Sequence, residues 1–403
     1  MRIGIVTTWF DRGAAYVSKQ FRDVWCNNAD TEVFIYARGG EKVERHSSMF
    51  SSENVTYGKR YSYTTLDKID LKHFEKWITG NKLDIVFFNE QHIWHPVILC
   101  NRLGVTTGAY IDYYTKETVN LFGLYDFLIC NTKRHLSVFN WHPQVYYVAW
   151  GTDKSIFNEK ELKKTNFEEG IVFFHSAGMN PYRKGTDYVI KAFKNLDDDI
   201  SKLVIHTQTN INRFFPRLKN DMDYLKSKGK LQIIEKTVSA PGLYKLGDVY
   251  VYPTRLEGIG LTIAEANACG LPVITTNEAP MNEFIIDGIN GHLINVSNQE
   301  DRADGYYWKE SYIEVDHLTQ LMSFYKKNEF ILDQMKKNSI EYSKTNLDWK
   351  QNSIKLNKIL NEIFFIKDKS DYEKMALSYE RTRGMKYYLG NLTLYRKVKR
   401  LLK

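Results

Sequence analysis

The sequence predicts an α/β protein with two doubly wound domains, each a parallel sheet with helices on both faces. Three observations support this prediction. The chain of 403 residues is longer than one ordinary hydrophobic core accommodates. Short apolar stretches alternate with helical patterns along most of its length, which is the order of βαβ units. A charged stretch without apolar period, residues 158–169, separates two such series and is predicted to be a linker.

The first domain is predicted to span residues 1–150. It opens with strand Arg2–Thr7, and a helical pattern follows the loop that contains Gly13. We predict further strands at Val33–Tyr36, Ile85–Asn89, Val105–Ile111, Phe127–Asn131 and Val145–Ala149. Because residues 37–63 are polar and aromatic without a clear period, we predict a long loop there, with one short strand.

The second domain is predicted to span residues 151–345 and to repeat the alternation. Its predicted strands are Ile171–His175, Leu203–Thr207, Gln232–Ile234, Val249–Tyr252, Pro272–Thr275 and His292–Asn295. Its predicted helices are Gly185–Leu196, Phe215–Lys226, Ala240–Leu246, Leu261–Gly270, His317–Lys326 and Glu329–Tyr342. Residues 346–403 are predicted to form C-terminal helices, of which the last is a basic amphipathic tail.

The composition excludes several classes of protein. No apolar run approaches the length of a transmembrane helix, and the short N-terminal apolar run lacks the cleavage site of a signal peptide. The four cysteines stand singly, without the spacing of a metal site. We therefore interpret them as small core residues in a reducing, cytoplasmic compartment, and we do not expect a catalytic cysteine.

The positive charge of the chain is concentrated at its C-terminal end. The net charge is +8, and residues 381–403 carry eight basic and no acidic side chains, so residues 1–380 are balanced. Apolar residues recur in this tail with helical spacing, which predicts a cationic amphipathic helix. Such a helix either lies on an anionic membrane at the inner face or packs on the body of the protein, and the sequence leaves both alternatives open. Nucleic-acid binding is not supported, because the excess of positive charge is confined to residues 381–403.

The most informative stretch is residues 249–275. An apolar strand is followed by a loop with two glycines that carries Glu257, and then by an alanine-rich helix that holds Glu265 and ends at Gly270. A second apolar strand follows at once, which makes this a βαβ unit of a parallel sheet. Both glutamates are therefore expected near the carboxyl edge of that sheet, where open α/β folds bind ligands.

Two loops of the second domain have the features of an anion site. Arg183 and Lys184 precede a helix, so two cations would stand at its positive end. The alternative is that these two basic side chains are only exposed to solvent at a turn and bind no ligand. Gly260 opens the next helix of interest, where the amides of Leu261 and Thr262 would face an anion. Carboxylates in the same stretch would accept hydrogen bonds from sugar hydroxyls, so the pattern suits a diphosphate flanked by sugars.

The stretch Tyr252–Ile274 resembles the E-x7-E region of retaining glycosyltransferases of family 4, which have the GT-B fold. Other similarities follow in the family's order over about residues 1–300. They are the glycine loop at Gly13–Ala15, the domain junction at Val148–Phe157, the Lys-Gly loop at Gly178–Gly185, the segment Gly247–Pro253 and the turn Glu283–Gly291. The resemblance implies two Rossmann-like doubly wound domains facing a central cleft, with C-terminal helices that cross back to the first domain.

The resemblance also implies roles for individual residues. The second domain would bind a nucleotide-diphosphate sugar and the first would bind the acceptor. Lys184 would contact the diphosphate, Glu265 would hold the ribose hydroxyls, and Glu257 would contact the donor sugar near the reacting centre. Thr237 and Val238 would lie against the base. Gly13 would approach the phosphates from the first domain.

The sequence departs from the family pattern at two positions. The family's arginine after the glycine of the phosphate loop is replaced by Met179, and we expect Arg183 to substitute for it at the donor. The family's histidine after the strand 105–111 is replaced by Asp112. Asp112 is either a catalytic group that accepts a proton or binds a sugar hydroxyl, or a residue that caps a loop. His92 and His95 are expected to be loop or core residues.

The predicted function is retaining transfer of a hexose from a nucleotide-diphosphate sugar, such as a UDP- or GDP-sugar, to a hydroxyl of a glycan or lipid-linked acceptor, as in polysaccharide or glycoconjugate biosynthesis. Stabilisation of the departing diphosphate by Lys184, Arg183 and helix amides would be the largest catalytic contribution. No metal and no cofactor are expected. The alternatives are another GT-B enzyme, either an inverting transferase or a sugar phosphate synthase, and a non-catalytic sugar-binding protein. Intact Lys184, Glu257 and Glu265 argue against the last of these.

Overall fold

The chain folds into two compact units. The computed structural model describes residues 1–10, 13–38, 50, 53–59, 68–161, 165–196 and 200–383. The first unit contains residues 1–130, 135–147 and the chain from 354 onward, and the second contains residues 131–134 and 148–353. The sequence prediction had put the breaks at residues 150 and 345, whereas the breaks between the units fall at 147 and 353.

Each unit is built on a parallel sheet, and a separate hairpin follows the second sheet. The strands of the first unit are β1 (Arg2–Thr7), β2 (Glu32–Ala37), β3 (Val55–Tyr57), β4 (Ile85–Phe88), β5 (Thr106–Tyr110), β6 (Phe127–Cys130) and β7 (Val145–Tyr147). Those of the second unit are β8 (Val172–Gly178), β9 (Lys202–Thr207), β10 (Leu231–Glu235), β11 (Val249–Tyr252), β12 (Val273–Thr276) and β13 (Gly291–Ile294). The hairpin consists of β14 (Val296–Glu300) and β15 (Glu310–Ile313), which pair antiparallel.

Helices connect the strands and close the chain. They are α1 (Gly13–Cys26), α2 (Leu71–Gly80), α3 (His95–Arg102), α4 (Lys133–Phe139), α5 (Thr186–Asn195), α6 (Ile211–Phe214), α7 (Lys219–Ser227), α8 (Leu261–Ala268), α9 (Val315–Lys327), α10 (Glu329–Asn346), α11 (Trp349–Asn352), α12 (Ile354–Glu362) and α13 (370–383).

The two sheets share the order of six strands, and the first sheet has a seventh at its edge. The order is β3-β2-β1-β4-β5-β6-β7 in the first unit and β10-β9-β8-β11-β12-β13 in the second. All neighbouring strands within these two sheets are parallel. The order reverses at β1 in the first sheet and at β8 in the second. The switch points between β1 and β4 and between β8 and β11 are therefore where the fold itself favours ligand binding. The predicted α/β class with two doubly wound domains is confirmed.

Aromatic side chains dominate the core of the first unit. Phe21 and Trp25 of α1 pack on Phe87 of β4, each with a distance of 5.1 Å between ring centroids. The neighbouring strand makes room for such rings with glycine, since a Cβ at Gly108 would lie 2.1 Å from the ring of Phe127. Close packing of this kind leaves little tolerance for added volume.

The C-terminal segment is an integral part of the first unit, as predicted. The buried carboxylate of Asp126 accepts hydrogen bonds from the Thr107 amide (2.7 Å) and the Ile366 amide (2.7 Å), and it forms an ion pair with Lys369 (2.8 Å). The amide of Phe364 donates to Gln144 at 2.9 Å. These contacts fix the chain between α12 and α13 on the first sheet.

Three details of the structure differ from the sequence prediction. The helix predicted at Ala240–Leu246 is wrong, because only Tyr244–Leu246 forms a short 3-10 turn. Pro241 lacks an amide donor, and Gly242 has a φ of 81°, which no right-handed helix contains. The hairpin β14–β15 was not predicted, since the side chains of β14 are mostly polar and exposed and show no apolar alternation. Three cysteines are buried as expected, but Cys26 is exposed.

The described helices include none that is long and apolar enough to cross a membrane. The described residues end at 383. Most of the predicted amphipathic tail, residues 384–403, lies outside them, so the structure does not test that prediction.

Candidate functional site

Two loops meet at the switch point of the second sheet. The loop after β8 ends at Gly185, which caps α5 with a φ of 72°, and the loop after β11 ends at Gly260, which caps α8 with a φ of 93°. A Cβ at Gly185 would lie 2.0 Å from the carbonyl oxygen of Pro253. The amide of Arg255 also donates to the carbonyl of Arg183 at 2.8 Å. Glycine at the first cap therefore allows the main chains of the two loops to touch.

Glu257 lies at the centre of a charged cluster in these loops. Its Oε1 is 2.6 Å from the Nζ of Lys184, and its Oε2 is 3.1 Å from Nη1 of Arg183. Oε1 also accepts hydrogen bonds from the hydroxyls of Thr254 and Tyr252, both at 2.8 Å. The ammonium of Lys184 contacts the Tyr252 hydroxyl as well. The sequence had assigned Lys184 and Glu257 to different parts of a ligand, and the structure brings them into direct contact.

The protonation states of the cluster follow from burial and pairing. Burial alone would raise the pKa of Glu257, but Arg183 and Lys184 outweigh it and lower the pKa to about 2. Burial and the neighbouring Arg183 lower the pKa of Lys184 to about 8, although Glu257 opposes this change. At neutral pH two cations thus surround one ionised carboxylate, and the cluster keeps an excess positive charge suited to an anion.

Glu265 lies on α8, as predicted, in a different environment. Its carboxylate is half-buried and accepts a 2.6 Å hydrogen bond from the hydroxyl of Tyr244. Burial raises the pKa of Glu265, while Tyr244 and Lys184 act in the opposite direction. Tyr244 is itself buried, with its ring against Phe174 and Tyr250. The sequence analysis missed Tyr244, because the segment that carries it was predicted to be a helix without a functional role.

The remaining predicted donor residues surround the carboxyl edge of the same sheet. Thr237 and Val238 follow β10, and the Thr237 hydroxyl is 3.5 Å from the Nε2 of Gln208. Leu261 and Thr262 form the first turn of α8 after Gly260, and both are partly exposed. The second unit therefore brings together all the predicted donor-binding residues except Gly13.

Arg255 is a second residue that the sequence analysis missed. It is 3% exposed, and its guanidinium makes a bidentate pair with Asp187 of α5 at 2.9 and 2.8 Å. It also donates to the carbonyl of Tyr182. Arg255 thus joins the loop that carries Glu257 to the loop that carries the two cations, a role that depends on contacts between distant parts of the sequence.

Gly13 and Asp112 belong to the first unit. Gly13 is the exposed first residue of α1, and among the described residues outside its own helical turn no atom lies within 4 Å of the position that a Cβ would occupy. Asp112 follows β5 and is half-buried. Burial and the nearby Glu90 raise the pKa of Asp112 to about 8, although Arg38 and main-chain amides oppose this. The raised pKa favours the protonated form of Asp112, which can donate a hydrogen bond.

Of the two histidines near this edge, His92 has structural contacts, whereas His95 is exposed and lies on a helix rather than in a loop or in the core as predicted. The ring of His92 packs edge-on against Tyr113, with 5.2 Å between centroids, and its carbonyl accepts a 2.7 Å hydrogen bond from Arg383. His95 is the first residue of α3. Neither contact involves a group that the sequence assigned to the reaction.

The described part of the chain contains no cluster of three or more histidine, cysteine, aspartate or glutamate side chains that could hold a metal. Two Asp-x-Asp sequences occur, one at Asp197–Asp199, which lies outside the described residues, and one at Asp221–Asp223 on α7. Asp221 pairs with Lys194 at 2.6 Å and Asp223 with Lys219 at 2.5 Å, on the surface of the second unit. These two carboxylates therefore have ordinary ion-pair partners.

Comparison with known proteins connects this site to a sequence family. Residues 157–308 match the family described as glycosyl transferases, group 1. The D-inositol 3-phosphate glycosyltransferase of Paenarthrobacter aurescens (strain TC1) is 28% identical over 168 residues, which cover 38% of this chain and 40% of that protein. The chain spans two fifths or less of the length of the curated relatives that it matches most strongly.

Solved structures match a much larger part of the fold. A glycosyltransferase from Rickettsia africae ESF-5 superimposes with a TM-score of 0.70 at 15% identity, covering 90% of this chain and 99% of that one. Anabaena Alr3699/HepE, solved in complex with UDP and glucose, gives a TM-score of 0.66 at 14% identity, with coverage of 90% and 99%. At these identities the likeness concerns the fold. The chain accordingly has the two-unit GT-B fold of glycosyltransferases, and its residues 157–308 carry the sequence pattern of the group 1 enzymes.

Proposed function

We propose that this protein is a retaining glycosyltransferase of family 4 that moves a hexose from a nucleotide-diphosphate sugar to a hydroxyl of a glycan or lipid-linked acceptor. The observation that carries the proposal is the Arg183–Lys184–Glu257 cluster at the switch point of the second sheet, within the residues that match the group 1 family. A half-buried pair of cations that is only partly neutralised suits a diphosphate, and the carboxylate between them suits a sugar hydroxyl.

The leaving group gives the cluster its main catalytic role. As the bond between the sugar C1 and the diphosphate oxygen lengthens, negative charge grows on the diphosphate and positive charge on the sugar. Lys184 and Arg183 would stabilise the diphosphate without rearrangement, since both are already held in place by Glu257. The ionised Glu257 would accept a hydrogen bond from a hydroxyl of the donor sugar. The acceptor hydroxyl then attacks C1 on the face that the diphosphate leaves, and its proton passes to an oxygen of the departing diphosphate.

The nucleotide would extend along the same sheet edge. We assign the ribose hydroxyls to Glu265, whose carboxylate is oriented by Tyr244. The base is assigned to Thr237 and Val238 after β10. The phosphates would also approach the amides of Leu261 and Thr262, beyond the cap at Gly260.

Gly13 and Asp112 are proposed to serve the same reaction from the first unit. The open space around Gly13 would admit a phosphate close to the start of α1. Asp112, as a protonated carboxyl, would donate a hydrogen bond to a sugar hydroxyl rather than act as the general base at neutral pH.

The donor is proposed to be a UDP- or GDP-sugar, and the UDP and glucose in the Anabaena structure support the first of these by analogy. The test is a thermal-shift screen of UDP, GDP and their sugar conjugates, followed by turnover of the best ligand with and without EDTA. We expect a concentration-dependent rise in Tm with at least one nucleotide and an unchanged rate in EDTA. If no nucleotide diphosphate raises Tm, the proposal fails, and loss of turnover in EDTA would overturn its metal-independent form.

The anomeric configuration of the product distinguishes the alternatives within the fold. NMR of the product made from an α-linked donor should show an α-linked sugar. A β-linked product would identify an inverting transferase, and transfer to a sugar phosphate would identify a sugar phosphate synthase.

The basic tail is proposed to bring the enzyme to lipid-linked acceptors in polysaccharide or glycoconjugate synthesis, at the inner face of a membrane. Eight basic residues in 381–403 would each contribute roughly 1 kcal/mol near an anionic surface. Co-sedimentation with phosphatidylserine vesicles should retain the full chain and not a chain that ends at residue 380. Equal sedimentation of both chains would remove the membrane role.

A further inference from the structure

An exposed tyrosine stands directly beside the anion cluster. Tyr182 precedes Arg183 and Lys184 in the loop after β8, and 40% of its surface is exposed. Its hydroxyl is 3.3 Å from the hydroxyl of Tyr312 on β15. An exposed aromatic ring next to a charged site offers a ligand an apolar face with a polar handle at its edge.

The ring of Tyr182 is supported from below by a buried guanidinium. The guanidinium of Arg255 lies 4.1 Å from the ring centroid of Tyr182 and 4.2 Å from that of Tyr188. Arg255 is itself fixed by its bidentate pair with Asp187. A ring that is already immobilised loses little conformational entropy when a ligand covers it, so it is preorganised for binding.

The hairpin holds the second tyrosine in position. The amide of Ser311 donates to the carbonyl of Arg255 at 2.8 Å, which ties β15 to the loop of the charged cluster. The guanidinium of Arg255 is also 5.6 Å from the centroid of Tyr312. The two hydroxyls can each donate and accept hydrogen bonds. An aromatic face with adjacent hydroxyls suits the C–H face and the hydroxyl groups of a pyranose.

We propose that Tyr182 and Tyr312, supported by Arg255, form a sugar-binding face beside the charged cluster. Its occupant is a hexopyranose ring that stacks on Tyr182 and hydrogen-bonds to the hydroxyl pair. This sugar ring belongs either to the donor or to a glycan acceptor, because both present the same C–H face and hydroxyl groups. The inference rests on the proposed function for its biological setting, but not for its test.

The test compares four variants of the full chain. Tyr182→Ala removes the ring, Tyr182→Phe keeps the ring and loses the hydroxyl, and Tyr182→Leu keeps an apolar cover on Arg255 without an aromatic face. Tyr224→Ala is the matched control, because Tyr224 is an exposed tyrosine (54%) on α7 of the same unit. Thermal unfolding in the absence of ligand shows whether each variant folds. Calorimetric titration then gives Kd for UDP, GDP, UDP-glucose and GDP-mannose, and a glycan array reports binding of free glycans.

If the bound sugar ring is that of the donor, Tyr182→Ala and Tyr182→Leu should raise the Kd of a sugar conjugate at least fivefold. The Kd of its parent nucleotide should stay within twofold. If the ring is the acceptor's, the same variants should lose array binding and keep the affinity for the conjugate. Tyr182→Phe should lose less than threefold in either case, and Tyr224→Ala should behave as the parent chain. Unchanged binding of conjugates and glycans in the folded Tyr182→Leu variant overturns the inference. Binding of glycans through Tyr182 in a chain that binds no nucleotide would keep the inference and reject the proposed function.

Discussion

The two sheets have the same order of six strands but carry opposite chemistry at their switch points. In the second unit a carboxylate lies between two cations, with Lys184 at 2.6 Å and Arg183 at 3.1 Å from Glu257. At the corresponding edge of the first unit two carboxyl groups, Glu90 and Asp112, share the influence of one buried guanidinium, that of Arg38. The Arg38 guanidinium is 4.0 Å from the Glu90 carboxylate and donates to the main-chain carbonyl of Glu90. One backbone plan thus carries a carboxylate between two cations in one unit and two carboxyl groups near one cation in the other.

The pKa values express this difference in the same terms. Cations lower the pKa of Glu257 to about 2 in spite of burial, whereas burial and a neighbouring carboxyl raise the pKa of Asp112 to about 8. The environment therefore favours the ionised form of the carboxyl group in the second unit and the protonated form in the first. The type of neighbouring residue, and not the position in the fold, decides between the two.

The largest effect is expected when the cation pair is broken. Lys184→Ala removes a charge that would stabilise the departing diphosphate, and turnover should fall by roughly 100- to 1,000-fold, as for the loss of one preorganised donor. Lys194→Ala is the control. Lys194 lies in the last turn of α5, the helix that follows Lys184, and its ion pair with Asp221 is exposed. Steady-state kinetics with saturating donor measure both variants. A Lys184→Ala enzyme with more than a tenth of the parent turnover would contradict the assignment.

A second change should strengthen binding while it stops the reaction. In Glu257→Gln the carboxylate no longer neutralises Arg183 and Lys184, so the site gains positive charge. We expect the affinity for a nucleoside diphosphate without sugar to rise roughly tenfold, about 1.4 kcal/mol, and transfer to be lost. Calorimetry at low and high salt measures this gain, which should shrink as salt screens the charges. An unchanged or weaker affinity would show that Glu257 does not oppose anion binding.

The pH dependence of stability tests the first unit. Folding raises the pKa of Asp112 from 3.8 to about 8, so the folded chain binds a proton that the unfolded chain releases. Stability should therefore fall as pH rises from about 4 to about 8, and level off above that. Asp112→Asn removes this contribution, so the free energy of unfolding of the variant relative to the parent should increase from pH 5 to pH 8. Denaturant unfolding at several pH values measures it, and parallel curves would contradict a raised pKa.

The extent to which sequence predicts such a site depends on how local its residues are. Arg183, Lys184, Glu257 and Glu265 stand at the ends of strands and the starts of helices, positions that apolar period and glycine locate from the sequence alone. Arg255 was missed because its partner Asp187 is 68 positions away. Tyr244 was missed because residues 240–246 were predicted to form a helix. Pro241 and Gly242 prevent that helix, and Tyr244 instead stands in a short turn. The hairpin that carries Tyr312 was missed because its strands have too little apolar alternation.

The smallest expected effect separates the two glutamates of the second unit. Glu257 is held by two cations, whereas Glu265 is oriented by the single hydroxyl of Tyr244 at 2.6 Å. Tyr244→Phe keeps the buried ring and removes that hydrogen bond, which to a charged group is worth about 1.5–3 kcal/mol in stability but only part of that in ligand binding. We expect Kd to rise roughly threefold to tenfold, and equally for a nucleotide and its sugar conjugate, because the ribose is common to both. Calorimetry with Tyr224→Phe as the control measures the change. A loss confined to the sugar conjugate would move Glu265 from the ribose to the transferred sugar and leave Glu257 without a separate role.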